Sequence, residues 1–171
     1  MTMLAVVALG LVLAMMLGEL RLSNRNDRLL IARGAVEAPD PVYGTMRWAY
    51  PTAFVVMALE GAFVPSASDG TILPGVVVFT LGKLIKYWAV ATLGTRWTYR
   101  VLVLPDVPLI RRGPYRFVRH PNYLGVVGEL VGFALITRAR LTGPLATMFF
   151  SWLLWRRITA ENRALSASRF R

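Results

Sequence analysis

A chain of 171 residues that is 56% hydrophobic and only 17% charged, with a mean hydropathy of +0.51, carries more apolar surface than a soluble core of its size can hide. Its net charge of +11 rests on arginines that flank apolar runs instead of forming one basic face. That pattern speaks against nucleic acid and for a membrane protein whose basic loops face the cytoplasm and anionic lipid. The absence of cysteine excludes disulfides and thiolate metal sites, and a single His excludes a histidine-rich metal centre.

The first apolar run, Met1 to Leu20, has no basic residue in front and no small-x-small site behind. It reads as a retained span with its N-terminus outside, not as a cleaved signal. Residues 21 to 45 are polar, and Asn24 to Ala35 suits a short interfacial helix. A second span runs from Met46 to Val64, with Trp48 and Tyr50 as interface aromatics, and an external loop, Pro65 to Gly70, follows. The third span runs from Thr71 to Leu93 and carries Lys83 and Lys86 near its middle, which place either a polar cavity there or the start of the span earlier. Gly94 to His120 is the longest polar stretch, with Trp97 and Tyr99 read as exposed interface anchors. Pro121 opens a fourth span, Asn122 to Thr137, since proline suits the first turn of a helix. Gly143-Pro144 reads as the breaker before a fifth helix, Leu145 to Leu165.

Basic residues number five over 21–47, six over 96–119 and five over 156–171, against only Arg138 and Arg140 on the other side. The expectation is an all-α integral membrane protein of about five transmembrane helices, N-terminus out and C-terminus cytoplasmic. It forms one membrane domain, with an N-terminal three-helix part over 1–93 and a C-terminal part over 94–171.

The chemistry concentrates in Arg111 to Gly125, RRGPYRFVRHPNYLG. Four arginines, two tyrosines, the sole His, an Asn and two prolines lie against a helix start whose positive end faces them. Such a cluster suits a ligand with carboxylate or ribose oxygens and an aromatic ring. The plainer reading is an interfacial linker whose arginines hold lipid phosphates. Arg157 and Glu161 are four apart and share a helix face. Their order is the less favourable one for helix stability, and a lone buried carboxylate needs a partner. The alternative is a surface salt bridge worth about 0–1 kcal/mol. Gly128 and Gly132 form a small-xxx-small pair read as helix packing. Glu129, an acid inside the span, reads as a partner of Lys83 or Lys86.

The run GPYRFVRHPNYLG, followed by a helical hairpin and by Arg157 and Glu161, resembles the isoprenylcysteine carboxyl methyltransferase family over about Leu93 to Leu165. That resemblance implies S-adenosyl-L-methionine held between this loop and the last two helices, and a lipophilic acceptor admitted from the membrane. It implies cofactor contacts from Tyr115, His120, Tyr123 and Glu161, with Arg157 toward the acceptor; Arg119 and Asn122 fall inside the same signature. Asn162 stands where a second acid is common in that family. LSNRNDRLLIARGAVE is similar to a bacterial branch, some of whose members are linked to O-methylation of alkylated pyrones or resorcinols. A small lipophilic acceptor and the bacterial inner membrane are therefore the expectation, with a prenylcysteine carboxylate as the other acceptor. The rivals are an NADPH-dependent membrane reductase of the sterol type and a non-catalytic lipid-binding module.

Overall fold

The computed structural model describes residues 3–63, 70–105 and 107–167. Five helices follow in chain order: α1 Met3–Ala32, α2 Tyr43–Phe63, α3 Ile72–Leu93, α4 Pro121–Thr137 and α5 Thr142–Ala167. Two short strands, β1 Val36–Glu37 and β2 Leu102–Val103, pair antiparallel across the loops. Apart from Gly70, the expected external loop lies outside the described residues.

The expected break after Leu20 is absent, and α1 runs on unbroken for 30 residues, roughly 45 Å. No Gly or Pro lies between Glu19 and Arg33, so nothing stops it. It ends at Gly34, whose φ of +83° suits glycine. There Ala35 N–H reaches Leu30 O and Gly34 N–H reaches Ile31 O, the paired closure of a Schellman motif. Its polar half is not a helix lying on an interface. Ser23, Asn26 and Asp27 are buried, and Asn26 Nδ2 donates to Trp97 O at 2.8 Å, bracing the loop after α3.

The breaker also moves. Pro144 sits in the first turn of α5, where its missing N–H costs nothing. The turn is made by Arg138 in the left-handed region, with Ala139 N–H on Ala134 O at 2.9 Å. At this end Glu60 of α2 accepts from the N–H groups of Leu141 and Thr142 at 2.9 and 2.7 Å, fastening α5 to α2.

The tightest helix pair is α3 with α4, and glycine makes it so. A Cβ on Gly75 would stand 2.7 Å from Ile136 N, and one on Gly125 would stand 2.7 Å from Gly82 O. The seam expected at Gly128 and Gly132 thus has its counterpart on α3, and backbones approach where lipid offers no hydrophobic drive. An aromatic core fills the other side of α4: Phe54 meets Phe133 at 4.9 Å and Tyr50 meets Phe150 at 4.9 Å.

Among the described residues two helices, Met3–Ala32 and Ile72–Arg96 counted with its 3-10 extension, are long and apolar enough to cross a membrane. Pro121–Thr137 is apolar but shorter, 17 residues, roughly 25 Å. On α5, Leu145, Met148, Phe149, Trp152 and Trp155 are all exposed along one face. Such an apolar stripe is what a helix offers to lipid.

Candidate functional site

Where α1, α3 and α5 end and α2 and α4 begin, the polar side chains gather. Gly113, at φ +58°, turns the chain against Thr92. A 3-10 turn over Gly113–Arg116 then carries Pro114 into the interior. The chain returns to Pro121, first residue of α4, with His120 immediately before it and free of any capping bond of its own. His120 and Tyr123 lie three apart, so their rings share a side and stack at 5.5 Å with an 11° interplanar angle.

From the far end of α5, Glu161 meets this elbow. Its Oε2 lies 3.5 Å from His120 Nδ1, and its Oε1 accepts from the Tyr123 hydroxyl and, at 3.1 Å, from Arg157 Nε. The two sequence clusters therefore converge, although about 40 residues separate them along the chain.

Arg157 is buried, and all three of its nitrogens are engaged. Nε donates to the Tyr123 hydroxyl at 2.8 Å, Nη2 donates to the carbonyl of Tyr99, and Nη1 faces Asp40 Oδ2 at 3.0 Å. Its guanidinium also covers the Tyr43 ring at 5.8 Å. Asp40 was not singled out from the sequence. The available signal was an Asp three residues before an apolar helix, a start signature, and its Oδ1 accepts from Val42 N–H and Tyr43 N–H at 3.1 Å each.

A cavity of about 1570 Å³ opens above this floor. Tyr115, Arg119, His120, Asn122, Tyr123 and Glu161 line it, and Arg157 lies beneath its wall. Arg119 is exposed at the rim. Burial, with the charge of Glu161 behind it, lifts the Tyr115 phenol well above its usual value, so it stands there as a neutral hydroxyl. His120 Nε2 and Asn122 Oδ1 are buried without a partner in the protein. Such atoms are costly unless a ligand or water meets them.

Behind the floor lies a second polar group. Lys83 Nζ stands 3.0 Å from Glu19 Oε1 and 2.8 Å from Glu129 Oε2, while Lys86 Nζ stands 2.6 Å from Glu19 Oε2 and 3.2 Å from Glu129 Oε1. Both lysines turn inward as partners of Glu129, and Glu19 completes a neutral quartet that sequence reasoning had not assembled. The hydroxyl of Tyr50 donates to Glu129 at 2.9 Å and that of Tyr99 to Glu19 at 3.0 Å. Tyr50 and Tyr99, half-buried and bonded to these carboxylates, are thus not interface anchors, and Trp97 is buried, edge-on to Tyr99 at 5.2 Å. Trp48 alone of these aromatics is well exposed, at 70%.

Comparison with known proteins bears on this arrangement. The Bacillus subtilis protein YpbQ is 29% identical over 147 residues, covering 86% of this chain and 88% of that one. A rice protein (Oryza sativa subsp. indica) named "Probable protein-S-isoprenylcysteine O-methyltransferase" is 37% identical over 114 residues, 59% of this chain and 58% of that one. "Protein-S-isoprenylcysteine O-methyltransferase A" of Arabidopsis thaliana is 29% identical over 84 residues, 48% of this chain and 41% of that one. No solved structure matches. The model of the isoprenylcysteine carboxyl methyltransferase (ICMT) family matches residues 75–167, from the glycine seam of α3 through the whole of the elbow and α5. With more than half its length inside that match, the chain belongs to the isoprenylcysteine carboxyl methyltransferase family.

Proposed function

We propose that this protein is a membrane O-methyltransferase that takes its methyl group from S-adenosyl-L-methionine and passes it to a lipophilic acceptor. The observation that carries the reading is the meeting of His120, Asn122 and Tyr123 with Glu161 at one cavity, where two buried polar atoms lack protein partners. The relatives' names and the family point the same way.

The residues present fit that donor. Asn122 Oδ1 is an acceptor suited to an amino group, and His120 Nε2 can bond a ribose or ring atom. Glu161 offers a carboxylate to an ammonium. The start of α4 favours carboxylate oxygens. When bound, S-adenosylmethionine supplies an electrophilic methyl on cationic sulfur, transferable by in-line displacement. The chain's own part is to hold both reactants close and to exclude water. A carboxylate acceptor is ionised at neutral pH and needs no base. For a phenol or enol, His120 is the imidazole at hand, with Glu161 at 3.5 Å from its Nδ1 to orient the ring. Arg157, buried beneath the wall with all three nitrogens engaged, would not reach the acceptor itself; its part would be to hold Tyr123 and Glu161 in place.

The acceptor in this reading is a small lipophilic phenol or enol of the alkylpyrone or alkylresorcinol kind, with a prenylcysteine carboxylate as the second choice. The setting is a bacterial inner membrane crossed by all five helices as one domain, C-terminus in the cytoplasm, with Tyr115 and Arg119 closing the cytoplasmic rim. The test is incubation of the purified protein with methyl-labelled donor and a lipid extract. Label is expected in one organic-soluble product. Absence of labelled product, with NADPH consumed in a parallel arm, would replace this reading by that of a reductase.

A further inference from the structure

We propose that Asp40, in the linker between α1 and α2, is the second carboxylate of this site, and that it neutralises Arg157 from behind so that Glu161 is left for the donor's ammonium. This inference rests on the proposed function and names a positioning residue within it.

The guanidinium of Arg157 carries a charge that must be balanced. Arg157 is almost wholly buried, its side chain 6% exposed, and a buried guanidinium without a counter-charge is costly. Among the described residues two carboxylates reach it. Glu161 is 20% exposed and lines the cavity, whereas Asp40 is 6% exposed and lies away from the cavity wall. On α5 itself no second acid is at hand, because position 162 is Asn. Asp40 supplies the missing charge from a different element, outside residues 75–167.

Its carboxylate is also fixed. Oδ1 is tied by the N–H groups of Val42 and Tyr43, so Oδ2 is presented to Arg157 Nη1 at 3.0 Å as an ion pair, not as an aligned hydrogen bond. With the Tyr99 carbonyl on Nη2 and the Tyr123 hydroxyl on Nε, the guanidinium is held from three elements. Without the charge of Asp40, Arg157 has one carboxylate left. It draws Glu161 down from the cavity, and the donor's ammonium loses its counter-charge.

Asp40→Asn isolates this effect, because the amide oxygen still accepts from Val42 and Tyr43. Binding of two probes to the full chain in detergent is compared: S-adenosylmethionine, which carries the ammonium, and 5′-methylthioadenosine, which lacks it. The variant is expected to bind S-adenosylmethionine about tenfold more weakly and methylthioadenosine as before. Asp40→Asn with Arg157→Gln removes the pair as a neutral unit, and the preference for S-adenosylmethionine is expected to return. Equal weakening of both probes means a merely structural role and overturns the inference, as does no change in either or no recovery in the double variant. Failure of the unaltered protein to bind S-adenosylmethionine overturns the proposed function itself, and this inference with it.

Discussion

Arg157 Nε and the Tyr123 hydroxyl lie 2.8 Å apart, and both reach the same oxygen of Glu161. One phenol thus joins the start of α4 to the end of α5. Tyr123→Phe keeps the ring against His120 and removes only this junction. A hydrogen bond to a charged group contributes about 1.5–3 kcal/mol. Affinity for S-adenosylmethionine is therefore expected to fall at least about tenfold, measured by calorimetry in detergent. Unchanged affinity would show that the hydroxyl does not set the position of Glu161.

The quartet of Glu19, Lys83, Lys86 and Glu129 is charge-balanced and almost sealed. Removing one member leaves an uncompensated charge, at a cost of about 3–5 kcal/mol. Glu129→Gln is expected to lower the unfolding temperature sharply. Lys86→Met with Glu129→Leu keeps the balance between Glu19 and Lys83 and should lose much less. Thermal unfolding of both variants decides it, and equal losses would mean that charge balance is not what the quartet supplies.

Much of this arrangement was legible in the sequence, and the remainder hid for physical reasons. HPNY before an apolar run marks the start of α4, because proline and a helix N-terminus each leave a local trace. The convergence of His120 with Glu161 came from resemblance to a family, since spacing along the chain says nothing of distance across it. Lys83 and Lys86 advertised themselves as charges within an apolar run. Glu19 did not, because it sits where the first apolar run meets the polar stretch, and α1 carries straight through. Trp97 and Tyr99 mislead, because an aromatic beside arginines looks like an interface anchor. Whether it faces lipid or a buried carboxylate depends on Glu19, 80 residues from Tyr99. Asp40 shows its cap in the sequence, but its ion pair with Arg157 exists only once α2 and α5 have packed.

Arg138 holds φ +58° and ψ +32°, a left-handed conformation that costs a non-glycine residue about 1 kcal/mol. It closes α4 at the end away from the site. Arg138→Gly is therefore expected to stabilise the protein by up to roughly 1 kcal/mol without altering donor affinity. A fall in the unfolding temperature would mean that the arginine side chain contributes more than its backbone costs.

The most direct measurement is equilibrium binding of S-adenosylmethionine to the unaltered protein and to Glu161→Gln. Saturable one-to-one binding is expected for the first and affinity at least about tenfold weaker for the second, with the fold intact by circular dichroism. Equal binding by both proteins, or none by either, would contradict this reading.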